Sequence, residues 1–448
     1  MPRLHPGRLP LLLLLLVICP SAEARTWVVD GSSASATDHG PATEAQPFKT
    51  ISAAAAAAQS GDRVTVHGSG SGHVYRERVA PANDGVTYEA AAASPGSDID
   101  PPVVRGSEPL STWQPQTGPH AQPGVWVASV NGLPFEHIAG GIFNPYAIRL
   151  AFPGNETHLP SGHGASCDGG HTLGQLFKGG QLLTELSGNY TDHTPHPALP
   201  PMSWMAIANG TELWARFADN SRAPPADVEV TVRKSVFAPH KRGLGDITVR
   251  GFVFEHAANQ WDDFFWLPRM QANNPSPAAF AQGGLLSTRS GHNWLVEHNV
   301  LRHAKTIGID IGDEGGADPE GSQPMPWVIG NHTIRWNRIV DNGGKGITGD
   351  FGSVGPQPFL TEQDDDQGQE RHQEQQPCPG CEVHRNRGGI IAHNIIAGNN
   401  FLFCDATENA ALKVSGVVLH PSVHKDVGPT VRQKRDHTTF DLLALHLV

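Results

Sequence analysis

Four stretches of the chain repeat one order of apolar and polar positions: "VRGFVFEHA" from Val249, "VEHNVLRHA" from Val296, "IRWNRIVDN" from Ile334 and "IAHNIIAGN" from Ile391. Their starts are 47, 38 and 57 residues apart. Equal content at unequal spacing predicts parallel coils with insertions of different length on one side, because a hairpin would hold its spacing. Asn299, Asn337 and Asn394 share one position of the repeat. Asparagine suits such a place on two grounds: it enters the left-handed region more easily than other residues bearing a side chain, and its amides can hydrogen-bond in a stack.

Ahead of the repeat, "TWVVDG" predicts a strand ending in a turn. "PFKTISAAAAAAQSGDRVTVHGSG" predicts a short helix, stopped by Gly61, and then a new strand. Phe48, Ile51, Ala55 and Ala58 fall on one face of that helix, which is what covering the open end of a coil stack requires. From 106 to 240 the texture changes to scattered Trp and Pro with strand-like pieces "GVWVAS", "TELWARF" and "VEVTVRKSVF", so an inserted β-rich domain is expected there. The boundaries read as a signal peptide over 1–24, a cap and first coils over 25–105, the insertion over 106–240, and coils over 241–415. A polar insertion interrupts the coils at about 353–388, and a divergent tail runs from 416 to 448. In the tail, Asp436 is placed to start a helix carrying Phe440, Leu443 and Leu447.

Composition narrows the class. Gly (50) and Pro (37) are abundant and only 17% of residues are charged, which suits turns and short strands. A net charge of -12 argues against a nucleic-acid or anionic-membrane partner and leaves neutral sugars open. Arg3 and Arg8, the apolar run from Leu11 to Ile18 and the small-x-small triplet at Ala22 to Ala24 form a secretion signal, so the mature chain is expected to be extracellular and without a membrane anchor. Sequons at Asn155, Asn189, Asn209 and Asn331 fit that route. Cys167, Cys378, Cys381 and Cys404 permit disulfides without specifying a pairing, and Cys378, Cys381 and His384 lack a second ligand pair, so no metal or cofactor is expected. Asp364 to Asp366 read as a solvated loop rather than a calcium site.

Several pieces, in order, resemble the β-xylosidases of glycoside hydrolase family 120 and related secreted β-helix proteins. They are the helix-bearing segment above, "PVVRGSEPLSTW", "FNP" at 143–145, "DITVRGFVFEHAANQW", "GHNWLVEHNVLRHAKTIGIDIGDE" and "GNHTIRWNRIVDNGGKGITGDFG". The resemblance runs from about residue 26 to about 415. It implies an all-β fold, a right-handed parallel β-helix of three-sided coils with a β-sandwich-like domain inserted after the first coils. Substrates would bind in a groove across the coils, between long loops.

Glycosidic hydrolysis uses two carboxyl groups, one as acid and one as nucleophile or base. The resemblance assigns a candidate acid to Glu408, within Glu-x-Ala-x-x-Lys. The family's later segments, with its aspartate nucleophile and second glutamate, have no counterpart in this chain. Asp310 in "IGIDIGDEGG" and Asp350 in "GITGDFG" follow similar Gly-aliphatic runs, so stacking of coils is expected to bring them together; turn chemistry is the alternative. Sugar contacts are assigned to His256, Trp261, His292 and Trp294, because aromatic faces suit pyranose rings, and to Asp313, which lies in the same acidic run as Asp310. Three readings stay open: a xylosidase-like hydrolase on oligosaccharide or polysaccharide, a polysaccharide lyase or epimerase needing calcium and a basic residue, and a non-catalytic sugar-binding protein.

Overall fold

The computed structural model describes residues 23–68, 72–91, 101–118, 121–138, 141–148, 171–186, 198–217, 225–259, 283–312, 328–343, 347–350, 385–387, 390–397, 412–415, 440–442 and 445–446. Among these the fold is nearly all sheet. The exceptions are the α-helix Ile51–Ala57 and the 3-10 turn Ala208–Gly210.

Three parallel sheets are visited in a fixed order. The first contains Thr26–Val29, Arg63–Val66, Thr87–Ala90, Thr248–Arg250, Leu295–Glu297, Thr333–Arg335 and Ile390–Ala392. The second contains Val103–Arg105, Val253–Ala257, Val300–Ala304, Arg338–Val340 and Asn394–Ala397, and the third Leu286–Ser287, Ile309–Asp310, Ile347–Asp350 and Leu412–Ser415. From Thr248 onward each passage adds one strand to the first sheet, one to the second and one to the third. Neighbouring strands therefore come from successive passages. Val249, Val296, Ile334 and Ile391 are direct register partners, so the alignment visible in the sequence coincides with the backbone pairing.

Alternation sets what each strand buries. Val249, Val296, Ile334 and Ile391 from the first sheet, Phe254, Leu301, Ile339 and Ile396 from the second, and Leu286, Ile309 and Ile347 from the third all join one cluster. Each such side chain contributes roughly 1.5–3 kcal/mol on full burial. The helix Ile51–Ala57 packs its apolar face on the same cluster through Ile51, Ala54 and Ala55, with Phe48 and Ala58 alongside. Its N-terminus is closed twice: Thr50 accepts from the Ala53 N–H, and the Glu77 carboxylate accepts from Ile51 N and Ser52 N at 2.9 and 2.8 Å. The helix ends at Ala57 rather than at Gly61, whose φ of +91° serves the turn into Arg63–Val66.

Asn299, Asn337 and Asn394 form a buried amide ladder. Asn299 Nδ2 donates to Asn337 Oδ1 at 3.1 Å, and Asn337 Nδ2 to Asn394 Oδ1 at 3.0 Å. The same oxygens accept the backbone N–H of Asn299 and Asn337, and the amide nitrogens reach the Val249, Val296 and Ile334 carbonyls. The left-handed residue is not the asparagine but the one before it: His298, Trp336 and His393 have φ of 57°, 55° and 54°. Asparagine is selected here by its two-sided hydrogen bonding and not by its backbone freedom, which corrects half of the expectation.

Between 106 and 240 the sheets are mainly antiparallel. Ser107–Pro109, Val228–Thr231, Leu176–Lys178 and Gln181–Leu182 make one; Gln114–Pro115, Val125–Ser129, Glu212–Arg216, Ser203–Ile207 and Thr184–Glu185 make another. They enclose a separate apolar cluster with Trp113, Trp126, Tyr146 and Trp204. The tail departs from its expected helix. Phe440–Leu442 and Leu445–His446 are strands, paired antiparallel to Asn394–Ala397 and Ile390–Ala392. These strands supply hydrogen-bond partners to the backbone N–H and C=O groups along the last parallel strands.

The ladder carries a stability prediction. Asn337→Ala removes an amide that serves Asn299, Asn394, Val296 and Arg335, leaving buried polar groups unpaired. A loss of about 3 kcal/mol or more is expected in denaturant unfolding, well beyond that of an exposed substitution.

Candidate functional site

Two groups of polar side chains are ordered enough to carry chemistry. The first lies on the third sheet. Ile309 pairs with Leu286 and Ile347, so its neighbour Asp310 stands in line with Ser287 and Thr348. Asp310 is buried, accepting from Ser287 Oγ at 3.1 Å and from Gly312 N at 3.3 Å. Asp350 pairs instead with Ser415, two positions along from Thr348. The two aspartates are thus not register partners as their flanking residues suggested. Strand spacing and rise put their Cα atoms roughly 8 Å apart. The segments 260–282, 313–327 and 351–384 connect into and out of this sheet in sequence, and Trp261 and Asp313 belong to them, outside the described residues. Glu408, four residues before Leu412–Ser415, is outside them too.

The second group joins the antiparallel sheets to the coils. Glu229, on Val228–Thr231, accepts from Arg76 at 2.9 and 3.1 Å, from Arg105 Nη1 at 2.7 Å and from Ser107 Oγ at 2.6 Å. Arg105 also binds Glu255, whose other oxygen accepts from Arg302 Nε at 2.7 Å. Ser107 Oγ lies 2.8 Å from His256 Nδ1. The serine hydroxyl has one proton and gives it to Glu229, so His256 Nδ1 is the donor in that contact. The ring of His256 stacks on Phe177 at 3.6 Å and 5°. Beside them the Lys305 ammonium pairs with Glu185 at 2.8 Å, both buried, while Glu185 also accepts from Thr172 N and Oγ1.

Electrostatics decide what this second group can do. Burial pushes the Glu229 carboxyl up, but hydrogen bonds from His256, Arg76 and Ser107 and the Arg105 charge outweigh it and hold the group well below the usual carboxylate range. Glu255 is likewise lowered: burial opposes ionisation, and the neighbouring His256, Arg105 and Arg302 prevail. Neither can serve as a general acid near neutral pH, since that role needs a carboxyl held protonated. Burial lowers His256 and takes His303 down to about 4, so both are neutral at pH 7. Glu255, His256 and His303 bring ligand-type atoms within 4.8 Å of one another. The donor set does not suit a cation, because both Glu255 oxygens are already engaged by guanidinium groups and Arg76 stands nearby.

The sugar-contact assignments are revised by burial. Trp294 is 1% exposed and its Nε1 donates to the Leu244 carbonyl at 2.7 Å, so it is a core residue with no face for a ligand. His256, also 1% exposed, has one ring face covered by Phe177 and belongs to the junction. His292 is half-buried, with its ring against Gly245. The junction itself went unforeseen, since Glu229, Arg105 and Arg76 are far apart in sequence and carry no shared motif.

No protein-family model matches the chain, and no curated protein matches it. Among solved structures it resembles XylC, solved in complex with xylose, at 24% identity and a TM-score of 0.57, over 87% of this chain and 56% of XylC. The chain thus spans a little over half the length of that protein, and at this identity the likeness establishes a shared fold. Weaker likenesses are to a glycoside hydrolase (11% identity, 74% of this chain and 68% of the other, TM-score 0.39) and to the GH136 lacto-N-biosidase from Eubacterium ramulus (15%, 73% and 43%, TM-score 0.30). Only the XylC likeness bears on the fold.

Glu229→Gln keeps the shape of the side chain and removes the charge from between Arg76 and Arg105. A loss of about 3 kcal/mol is expected at pH 7 in chemical denaturation. Because the folded-state value of Glu229 lies below its unfolded one, its contribution is full above about pH 4.5 and fades as pH falls further. The variant's stability should therefore change less than the parent's on acidification below that point.

Proposed function

We propose that this chain is a carbohydrate-active protein of glycoside-hydrolase type, acting on xylose-containing oligosaccharides. The observation that carries the reading is the likeness to XylC over 87% of the chain, in a fold whose third sheet holds Asp310. The three sheets visited in order are read as a right-handed parallel β-helix, and the antiparallel sheets over 106–240 as a sandwich-like inserted domain. Asp310, Asp350 and Glu408 are the proposed carboxylates. A roughly 8 Å backbone separation between the two aspartates is within the span that paired glycosidase carboxyl groups can bridge. Trp261, His292 and Asp313 remain the proposed sugar contacts.

The N-terminal segment is proposed as a secretion signal, and the sequons then become glycan sites. Asn209 suits that role best of the two described: it is exposed, in a left-handed turn joining Ser203–Ile207 to Glu212–Arg216. Asn331 is exposed as well, but its Nδ2 donates to Asn293 Oδ1 at 2.6 Å.

The function is tested by titrating xylo-oligosaccharides into the full chain and following hydrolysis of an aryl xyloside. Binding with turnover is expected, and Asp310→Asn or Glu408→Gln should each lower turnover at least about 100-fold with binding retained. Binding without turnover would replace hydrolysis with recognition alone; no binding at all would remove the carbohydrate reading. After expression through a glycosylating secretory route, Asn209→Gln should abolish one glycan's worth of endoglycosidase-sensitive mass. An unchanged mass shift would exclude Asn209 as an acceptor.

A further inference from the structure

The contacts between the antiparallel sheets and the coils concentrate on one buried seam. Glu229 reaches across it to Arg76 and Arg105, Lys305 reaches back to Glu185 and to the Gly174 carbonyl, and Phe177 stacks on His256. Two imidazoles occupy the middle. The His256 and His303 centroids are 5.7 Å apart, and His303 lies 5.6 Å from the same Phe177 ring. Among the described residues, His303 Nδ1 is buried with no hydrogen-bond partner.

The charges facing the pair come from every element around it. Arg76, Arg105 and Arg302 are positive; Glu229 and Glu255 are negative; Lys305 with Glu185 and Arg233 with Glu108 are internally paired. Among the described residues, the three guanidinium groups face two carboxylates, Glu229 and Glu255, with both histidines neutral. Each added proton brings further positive charge to a place with little water to screen it.

We propose that His256 and His303 form a proton-operated latch, which holds the inserted unit against the coils at neutral pH and releases it in acid. The inference takes the sandwich-like inserted domain proposed above, with its own apolar cluster, as a unit that can separate from the coils, and goes beyond the function proposed for the chain. Its sign follows from linkage. Released, each histidine regains an ordinary pKa near 6.5, so the released state binds more protons and gains on the docked state as pH falls below that value. The docked state is favoured fully above about pH 6.5. For His303 the gain continues down to about pH 4, where the docked form also takes up its proton.

Hydrogen exchange on the full chain, expressed as protection factors at each pH, reads the latch directly. Two amides border the seam where the chain leaves the coils and returns to them: Gly106 donates to the Glu255 carbonyl at 3.0 Å, and Ala258 to the Arg233 carbonyl at 2.8 Å. Between pH 6.5 and 4 their protection should fall at least tenfold, while Leu295, which donates to Ile247 within the coils, keeps its protection. His303→Asn should move the transition down by about one pH unit; asparagine tolerates the φ of 59° at this position. Should that variant not fold, Arg302→Gln, at a side chain 44% exposed, reduces the positive charge and should flatten the same transition. Unchanged protection at Gly106 and Ala258 down to pH 4 overturns the latch. So does a transition that neither substitution moves, although the inserted unit would then still be separable. Simultaneous loss at Leu295 overturns the separable unit itself.

Discussion

The in-register parallel pairing of successive passages governs everything else in this molecule. Parallel strands cannot be joined by tight turns, so the chain travels through three sheets before returning beside itself. At one corner the return is held by Asn299, Asn337 and Asn394. Each amide oxygen above the first takes a backbone N–H and a side-chain N–H from the passage before. A slip of one residue would turn Val296, Ile334 and Ile391 out of the core and break the amide stack together, so the two features enforce a single register.

That rigidity explains where chemistry can be placed. Insertions of different length are accommodated at the ends of strands without disturbing the register, which is why starts 47, 38 and 57 residues apart still superimpose. The third sheet begins with two two-residue strands, Leu286–Ser287 and Ile309–Asp310, and in sequence it is entered and left by the long segments 260–282, 313–327 and 351–384. The buried Asp310 accepts from the Ser287 hydroxyl and the Gly312 N–H, which fix its carboxylate on the strand. The proposed carboxylates depend on this.

The junction follows a different logic. Two carboxylates and the Arg105 guanidinium are largely withdrawn from water, and the geometry satisfies them mutually: Arg105 bridges Glu229 and Glu255, while Arg76 and the more exposed Arg302 close the two ends. Such a network is costly to break one member at a time. It ties the orientation of the antiparallel sheets to the coils through directional contacts, where an apolar seam would permit sliding. Two imidazoles, His256 and His303, lie beside it, and burial favours their neutral forms.

The sequence by itself determined the repeat, the short covering helix, the change of texture at 106–240 and the ladder asparagines. Each of these is encoded locally, in periodicity, composition or a recurring position. It also singled out Asp310, but not its register. The offset from Asp350 depends on where Ile309 meets Ile347, a long-range pairing that flanking glycines do not specify. Tertiary structure alone decided that Trp294 and His256 are interior, because an aromatic ring in a coil segment reads the same in sequence whether it faces a ligand or the core. It decided, too, that Phe440–Leu442 and Leu445–His446 pair as strands, and that Arg76, Arg105, Glu229 and Glu255 meet. Charges separated by up to 153 positions in the chain become partners only when two sheets of different origin are packed together.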